Sequence, residues 1–161
     1  MIKPTIVKPV DYCYTVTWFN NYDGDSVNII AQRVFDVGFY KRITSEQPIS
    51  VRLYGIDTPE LRGGTPESKA AGYLARDKVR EFLQDAMDNS FLIFYSHEFK
   101  TGKFGRALGD FGCWDSEVLL SDYLLENHLA VKYFGQSKDE IKDAHARNLE
   151  YLLDNNLLEI K

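Results

Sequence analysis

The chain has 161 residues, 44% hydrophobic and 27% charged, with a formal net charge of −5. That balance suits one soluble globular domain with a core of its own. The acidic charge counts against a protein that grips duplex nucleic acid tightly by charge alone, though an enzyme that turns over needs only a local cationic site. Cys13 and Cys113 stand far apart with no Cys/His metal spacing, which argues against zinc. They read as thiols of a reducing cytoplasm, with a disulfide left open. No apolar run approaches the ~18 residues of a membrane-spanning helix. Met1 to Thr5 lacks the apolar stretch of a secretory signal, so the expected location is cytoplasmic.

The first half reads as strands. Tyr12 to Trp18 alternates and is rich in β-prone residues. Asn20 to Gly24 is a turn, and Ser26 to Phe35 a second strand with imperfect alternation. Asp36 to Thr44 is ambiguous and reads as an extended arm or hairpin extension. Ser45 to Pro48 reads as a turn and Ile49 to Ile56 as a third strand. Alternation puts Arg52, Tyr54 and Ile56 on one face and Leu53 on the other. Pro59, which cannot donate to a ladder, closes this segment.

A helix follows, with Thr65 as N-cap, Pro66 in first position and Glu67 in the first turn. Its apolar residues recur at helical spacing from Ala71 to Ala86, and Asp88 to Ser90 stops it. Phe91 to Tyr95 and Arg106 to Phe111 read as strands joined by the Gly-containing turn at Thr101 to Gly105. Asp115 or Ser116 caps a helix that ends near Leu129, and Ser137 with Glu140 forms a capping box for the last helix. Five strands, with a helix inserted after the third, fit a mainly-β α+β fold: a five-stranded OB-type Greek-key barrel with three flanking helices. The expectation is a single domain over residues 1–161, with its core at about 12–155. Ten Phe, ten Tyr and two Trp serve first to fill such a core and second to stack on bases.

The chemistry-bearing residues cluster around one predicted strand end. Asp25 and Asp57 are hard oxygen donors of the kind a divalent cation takes, together with a backbone carbonyl and waters. Each also reads as an ordinary turn residue. An EF-hand is excluded, because counting from Asp23 places Val34 at position twelve. Glu60 is a candidate general base, with a solvated loop carboxylate as the plain alternative. Arg52 and Arg106 are candidate phosphate clamps, since a guanidinium fork matches phosphate oxygens and keeps its charge at all working pH values. For Arg52 a buried ion pair with a nearby Asp is the competing reading; for Arg106 it is an exposed edge charge. His97, His128 and His145 form no ligand spacing and receive no role. One guanidinium and two carboxylates around a strand end, with Asp23 to Ser26 upstream and Gly102 to Arg106 downstream, point to phosphodiester hydrolysis.

Three segments together resemble the staphylococcal nuclease (thermonuclease) family: Asp23-Gly24-Asp25-Ser26, then Arg52-Leu53-Tyr54-Gly55-Ile56-Asp57-Thr58-Pro59-Glu60, then Lys103-Phe104-Gly105-Arg106. They occur in the family's order, and the resemblance spans nearly the whole chain. It implies an OB-type barrel and a Ca²⁺-dependent endonuclease that cleaves DNA and RNA to leave 3′-phosphate and 5′-hydroxyl ends. By the same resemblance Asp25 and Asp57 match the calcium carboxylates, and Thr58 the residue that offers a backbone carbonyl. Arg52 and Arg106 match the two arginines, and Glu60 the glutamate usually called the general base. Lys103, Phe104 and Tyr133 match substrate-binding positions, Tyr133 through a gap. The expected partners are DNA or RNA, with no membrane and no protein partner, for a monomer; the lack of a signal fits an intracellular or phage-encoded nuclease better than a secreted one. The chain departs from the family at Phe104, where Tyr is frequent, at Ser26, where Thr is usual, in the short lysine-poor loop after Glu60, and in an insertion at Asp36 to Thr44. These bear on substrate affinity and preference and leave the five charged side chains intact. A catalytically silent module of the same fold, binding nucleic acid or protein, is the alternative; such modules typically lose those side chains.

Overall fold

The computed structural model describes residues 13–36, 38, 42–101 and 105–160. In chain order the elements are β1 (Cys13–Asn21), β2 (Ser26–Asp36), β3 (Arg42–Leu53), β4 (Ile56–Asp57), α1 (Pro66–Asn89), β5 (Leu92–Thr101), β6 (Ala107–Cys113), α2 (Leu120–Glu126), β7 (Val131–Lys132) and α3 (Lys138–Asp154). Five strands close into a barrel in the order β1-β2-β3-β6-β5, and β4 pairs with β7 in a separate two-stranded sheet. Barrel neighbours are antiparallel except β3 and β6, which run parallel from Val51 beside Ala107 to Leu53 beside Gly109. This is the mainly-β α+β class expected, a closed five-stranded barrel with three helices. Among the described residues no helix is long and apolar enough to cross a membrane.

Alternation along the strands fills the barrel. Val27, Ile29 and Ala31 of β2, Val51 and Leu53 of β3, Phe94 of β5 and Phe111 of β6 are all buried in one cluster. Helix α1 covers it with Ala71, Ala75, Val79, Leu83 and Ala86, spaced three or four apart on one face. Its start matches the expectation: Thr65 and Ser68 form a reciprocal cap with Pro66 at the first position, and Asn89 ends it. Helix α3 opens on the expected box, Ser137 and Glu140 each bonding the other's backbone.

Several local expectations are corrected. Ser45 to Pro48 is strand, because β3 pairs with β2 without interruption from Arg42 beside Asp36 to Arg52 beside Ser26. Pro48 is tolerated there because β3 reaches β6 only from Val51 onward, so the missing N–H falls on an unshared edge. Of the ambiguous arm, Asp36 ends β2 and Arg42 to Thr44 open β3, while residues 37 and 39–41 lie outside the described residues. The supposed third strand breaks at Tyr54-Gly55, where Gly55 takes φ +79°. The turn undoes the alternation: Leu53 and Ile56 are both buried, whereas Tyr54 is exposed. Helix α2 starts at Leu120 with no side-chain cap, later than Asp115 or Ser116. A bridge between Gly112 and Leu119 keeps the preceding segment extended against β6.

Candidate active site

Strand register assembles the first wall of the site. Ser26 lies opposite Arg52 across β2–β3, and Arg52 lies beside Leu108 across β3–β6. Arg106 is two residues before Leu108, so it shares that face of the sheet. Its Nη1 donates to Ser26 Oγ at 3.1 Å. Ahead of β2, Asp23 Oδ1 accepts from the backbone N–H of Asp25 (3.1 Å) and Ser26 (2.8 Å) and fixes the turn that delivers Asp25. Buried Asn21 ties this turn to α1: its Nδ2 donates to the Arg76 carbonyl at 2.9 Å, and its Oδ1 accepts from Arg80 Nε at 3.2 Å.

The second wall comes from β4 and the loop beyond it. The backbone N–H of Thr58 donates to Asp25 Oδ2 at 3.1 Å. The Pro59–Glu60 backbone lies directly on α1 at Gly72, where a Cβ would stand 2.7 Å from the Glu60 carbonyl. A side chain at position 72 would therefore push the loop away from the helix.

Arg52 sits between the two carboxylates. Its Nη1 is 3.0 Å from Asp25 Oδ2, and its Nη2 is 3.3 Å from Asp57 Oδ1. The competing reading of Arg52 as a buried ion-pair residue thus describes its contacts as found. Asp25 is nonetheless harder to ionise than an ordinary carboxyl. Burial raises its pKa from 3.8 to about 6, with Asp23 and Asp57 adding to the rise, despite the opposing pull of Arg52 and the Thr58 N–H.

Asp25, Ser26, Arg52, Asp57, Thr58, Glu60, Arg106 and Tyr133 line one cavity of about 610 Å³. Tyr133 is held there by its N–H, which donates to the Gly55 carbonyl at 2.9 Å. Lys103 and Phe104 lie outside the described residues. Glu60 projects at the mouth of the cavity, 67% exposed, with Lys138 Nζ 2.6 Å from Oε1. That contact raises the pKa of Lys138, with smaller help from Asp57 and Asp25.

The residues missed by sequence reasoning come from α3. Lys138, Ile141 and His145 recur at the spacing of one helix face. Lys138 reaches Glu60, Ile141 lines the cavity, and His145 Nε2 lies 2.9 Å from Asp57 Oδ2. His145 stands one turn beyond buried Ile141 and two turns before buried Leu152, so its place on an apolar stripe was legible. Its partner, 88 residues away, was not. His97 instead stacks on Tyr54 at 3.8 Å, and His128 on Tyr151 at 3.7 Å.

Among the described residues no three His, Cys, Asp or Glu side chains gather as a metal-holding group. The two carboxylates at Arg52 are a smaller set, and their chemistry suits a hard cation. The donors are oxygens, and burial, with a smaller addition from Asp23 and Asp57, makes the Asp25 charge costly, a cost that a cation held there would offset. The arrangement juxtaposes oxygen donors, two guanidinium groups and a solvent-reachable carboxylate in a single cavity. No protein-family model matches the chain, and no curated protein matches its sequence significantly.

Proposed function

We propose that the chain is a Ca²⁺-dependent endonuclease, cutting phosphodiester bonds of DNA and RNA to leave 3′-phosphate and 5′-hydroxyl ends. The observation that carries this reading is the convergence of Asp25, Arg52, Asp57, Glu60 and Arg106 on one cavity from the turn before β2, from β3, from β4, from the loop after β4 and from the residue before β6. The resemblance in the same residues supplies the reaction class.

In this reading Asp25, Asp57 and the Thr58 carbonyl would hold the calcium ion, which supplies fixed positive charge beside the phosphate oxygens. Arg52 exchanges its carboxylate partners for phosphate oxygens, and Arg106 donates to the same group from the neighbouring strand. Their fixed N–H donors stabilise the charge that grows on those oxygens in the transition state. Glu60 accepts a proton from the water whose oxygen attacks phosphorus. The phosphorus–O5′ bond breaks, and the departing oxygen takes a proton from solvent to become the 5′-hydroxyl. The exposure of Glu60 gives that water access to it.

A second reading has one observation in its favour. Arg52 is satisfied by two carboxylates and Glu60 by Lys138, so these charges also make a self-contained network. Charges that satisfy one another can serve the fold without catalysis, as a silent nucleic-acid-binding or protein-binding module would need. Incubation with single- and double-stranded oligonucleotides, in Ca²⁺ or in chelator, separates the two. The nuclease reading expects fragments in Ca²⁺ alone, whose 3′ ends become extendable only after phosphatase treatment. Intact substrate in Ca²⁺, or equal cleavage in chelator, overturns it.

A further inference from the structure

The Asp57 carboxylate is shared between two elements. Oδ1 faces Arg52 at 3.3 Å, and Oδ2 faces His145 of α3 at 2.9 Å. A carboxylate only accepts, so His145 Nε2 carries the proton and donates. The other ring nitrogen, Nδ1, is buried and has no hydrogen-bond partner among the described residues. Buried polar atoms are nearly always satisfied. The imidazole is thus placed on the apolar stripe of α3 for the sake of its Nε2 contact.

Arg52 is not a permanent anchor for Asp57, because the same guanidinium also serves Asp25 and, in the nuclease reading, the phosphate. The terminal torsion of an Asp side chain is broad and roughly two-fold. With its donors divided between Asp25 and Asp57, Arg52 touches only Oδ1 of Asp57 at 3.3 Å, so the contact on Oδ2 is what fixes the carboxylate's rotation before the cation binds. We propose that His145 is the positioning residue for Asp57: from α3 it pins Oδ2 and so keeps Oδ1 turned toward the centre of the site for cation binding. Hydrogen bonds of this outer kind orient the carboxylates and imidazoles of metal sites generally. This inference rests on the calcium reading above, and it adds α3 to the elements that build the cation site.

The test is calorimetric titration of Ca²⁺ into the intact, chelator-stripped chain, alongside thermal melting without Ca²⁺. His145→Phe keeps a ring in the stripe and removes the donor. His145→Gln removes the ring and keeps an N–H of similar reach. Positioning by the hydrogen bond requires the Phe variant to bind Ca²⁺ about 10- to 100-fold more weakly and the Gln variant to recover most of that loss, even where its melting temperature is the lower of the two. A purely packing role gives the reverse order. Wild-type affinity in His145→Phe, or equal loss in both variants, overturns the positioning role and leaves the nuclease reading standing. A wild-type chain that takes no Ca²⁺ overturns both. Should the Phe variant fail to fold, His145→Met replaces it with the same expected weakening.

Discussion

Two charged groups that line one cavity, Arg52 with its two aspartates and Lys138 with Glu60, are built differently. Arg52 is enclosed with Asp25 and Asp57, the three side chains being only 15%, 12% and 17% exposed. Lys138 and Glu60 meet in open solvent. The enclosed group is held by barrel register, by a backbone N–H and by α3, and removing one member leaves a buried charge without its partner. The open pair is worth about 1 kcal/mol or less, because water screens it and two long side chains must be ordered. The half of the site assigned to cation and phosphate is therefore prebuilt, whereas the half assigned to the proton is released at little expense. Substitutions on each side separate the two.

The largest effect is expected at Glu60. Glu60→Gln keeps shape but removes the basic oxygen, and should lower single-turnover cleavage by about 10²- to 10⁴-fold, with melting temperature and Ca²⁺ affinity unchanged. Near-wild-type cleavage would take the general base out of the mechanism. Arg52→Ala should lower cleavage by on the order of 10²-fold or more and also lower the melting temperature in chelator, since it leaves Asp25 and Asp57 facing each other. Arg106→Ala should cost cleavage on the order of 10²-fold as well with a smaller thermal shift. If Arg52→Ala melts like the wild type, the contrast between enclosed and open charge loses its basis.

Asp25→Asn sharpens the comparison from the stability side. The folded pKa of about 6 lies above the ordinary 3.8, so the folded chain holds this proton more tightly than the unfolded one. Without Ca²⁺, the contribution of this group to stability is then greatest below about pH 4, falls as pH rises through about 6, and levels off beyond. Asp25→Asn has no charge to desolvate. It should melt a few degrees higher than wild type at pH 8 in chelator, flatten that pH profile, and abolish Ca²⁺ binding. A lower melting temperature at pH 8 would show that the Arg52 and Thr58 contacts outweigh burial. The smallest effect belongs to Lys138→Ala, which should leave melting within a degree or so and cleavage within a few-fold. A large loss of either would mean that the exposed pair is more firmly held than its surroundings indicate.

Local signals were legible wherever a residue's neighbours in sequence decide its conformation. Thr65 with Pro66 and Ser137 with Glu140 announced both long helices. Alternation together with helix placement was enough for the barrel class. Pro48 misled because a proline's tolerance depends on which strand edge is shared, a property of β6 some sixty residues away. Gly55 misled because one left-handed residue resets which face every later side chain takes. The five charged residues were legible as a set, while their mutual contacts were not. His145 carried no spacing signal because its partner lies on a different element.

The parallel pairing of β3 with β6 also bears on the time course of folding. The β2–β3 hairpin needs only local closure, and it already carries Asp25, Ser26 and Arg52. Arg106 joins them only when β6 docks beside β3 across the intervening α1 and β5, and His145 must be brought to Asp57 across 88 residues of chain. Long-range closures of this kind are slow to form. The cation and phosphate groups should therefore come together in stages during refolding, with Asp25 and Arg52 neighbours before Arg106 is present. Recovery of catalysis would then lag behind recovery of strand signal, and activity would serve as a clock for the last closure of the barrel.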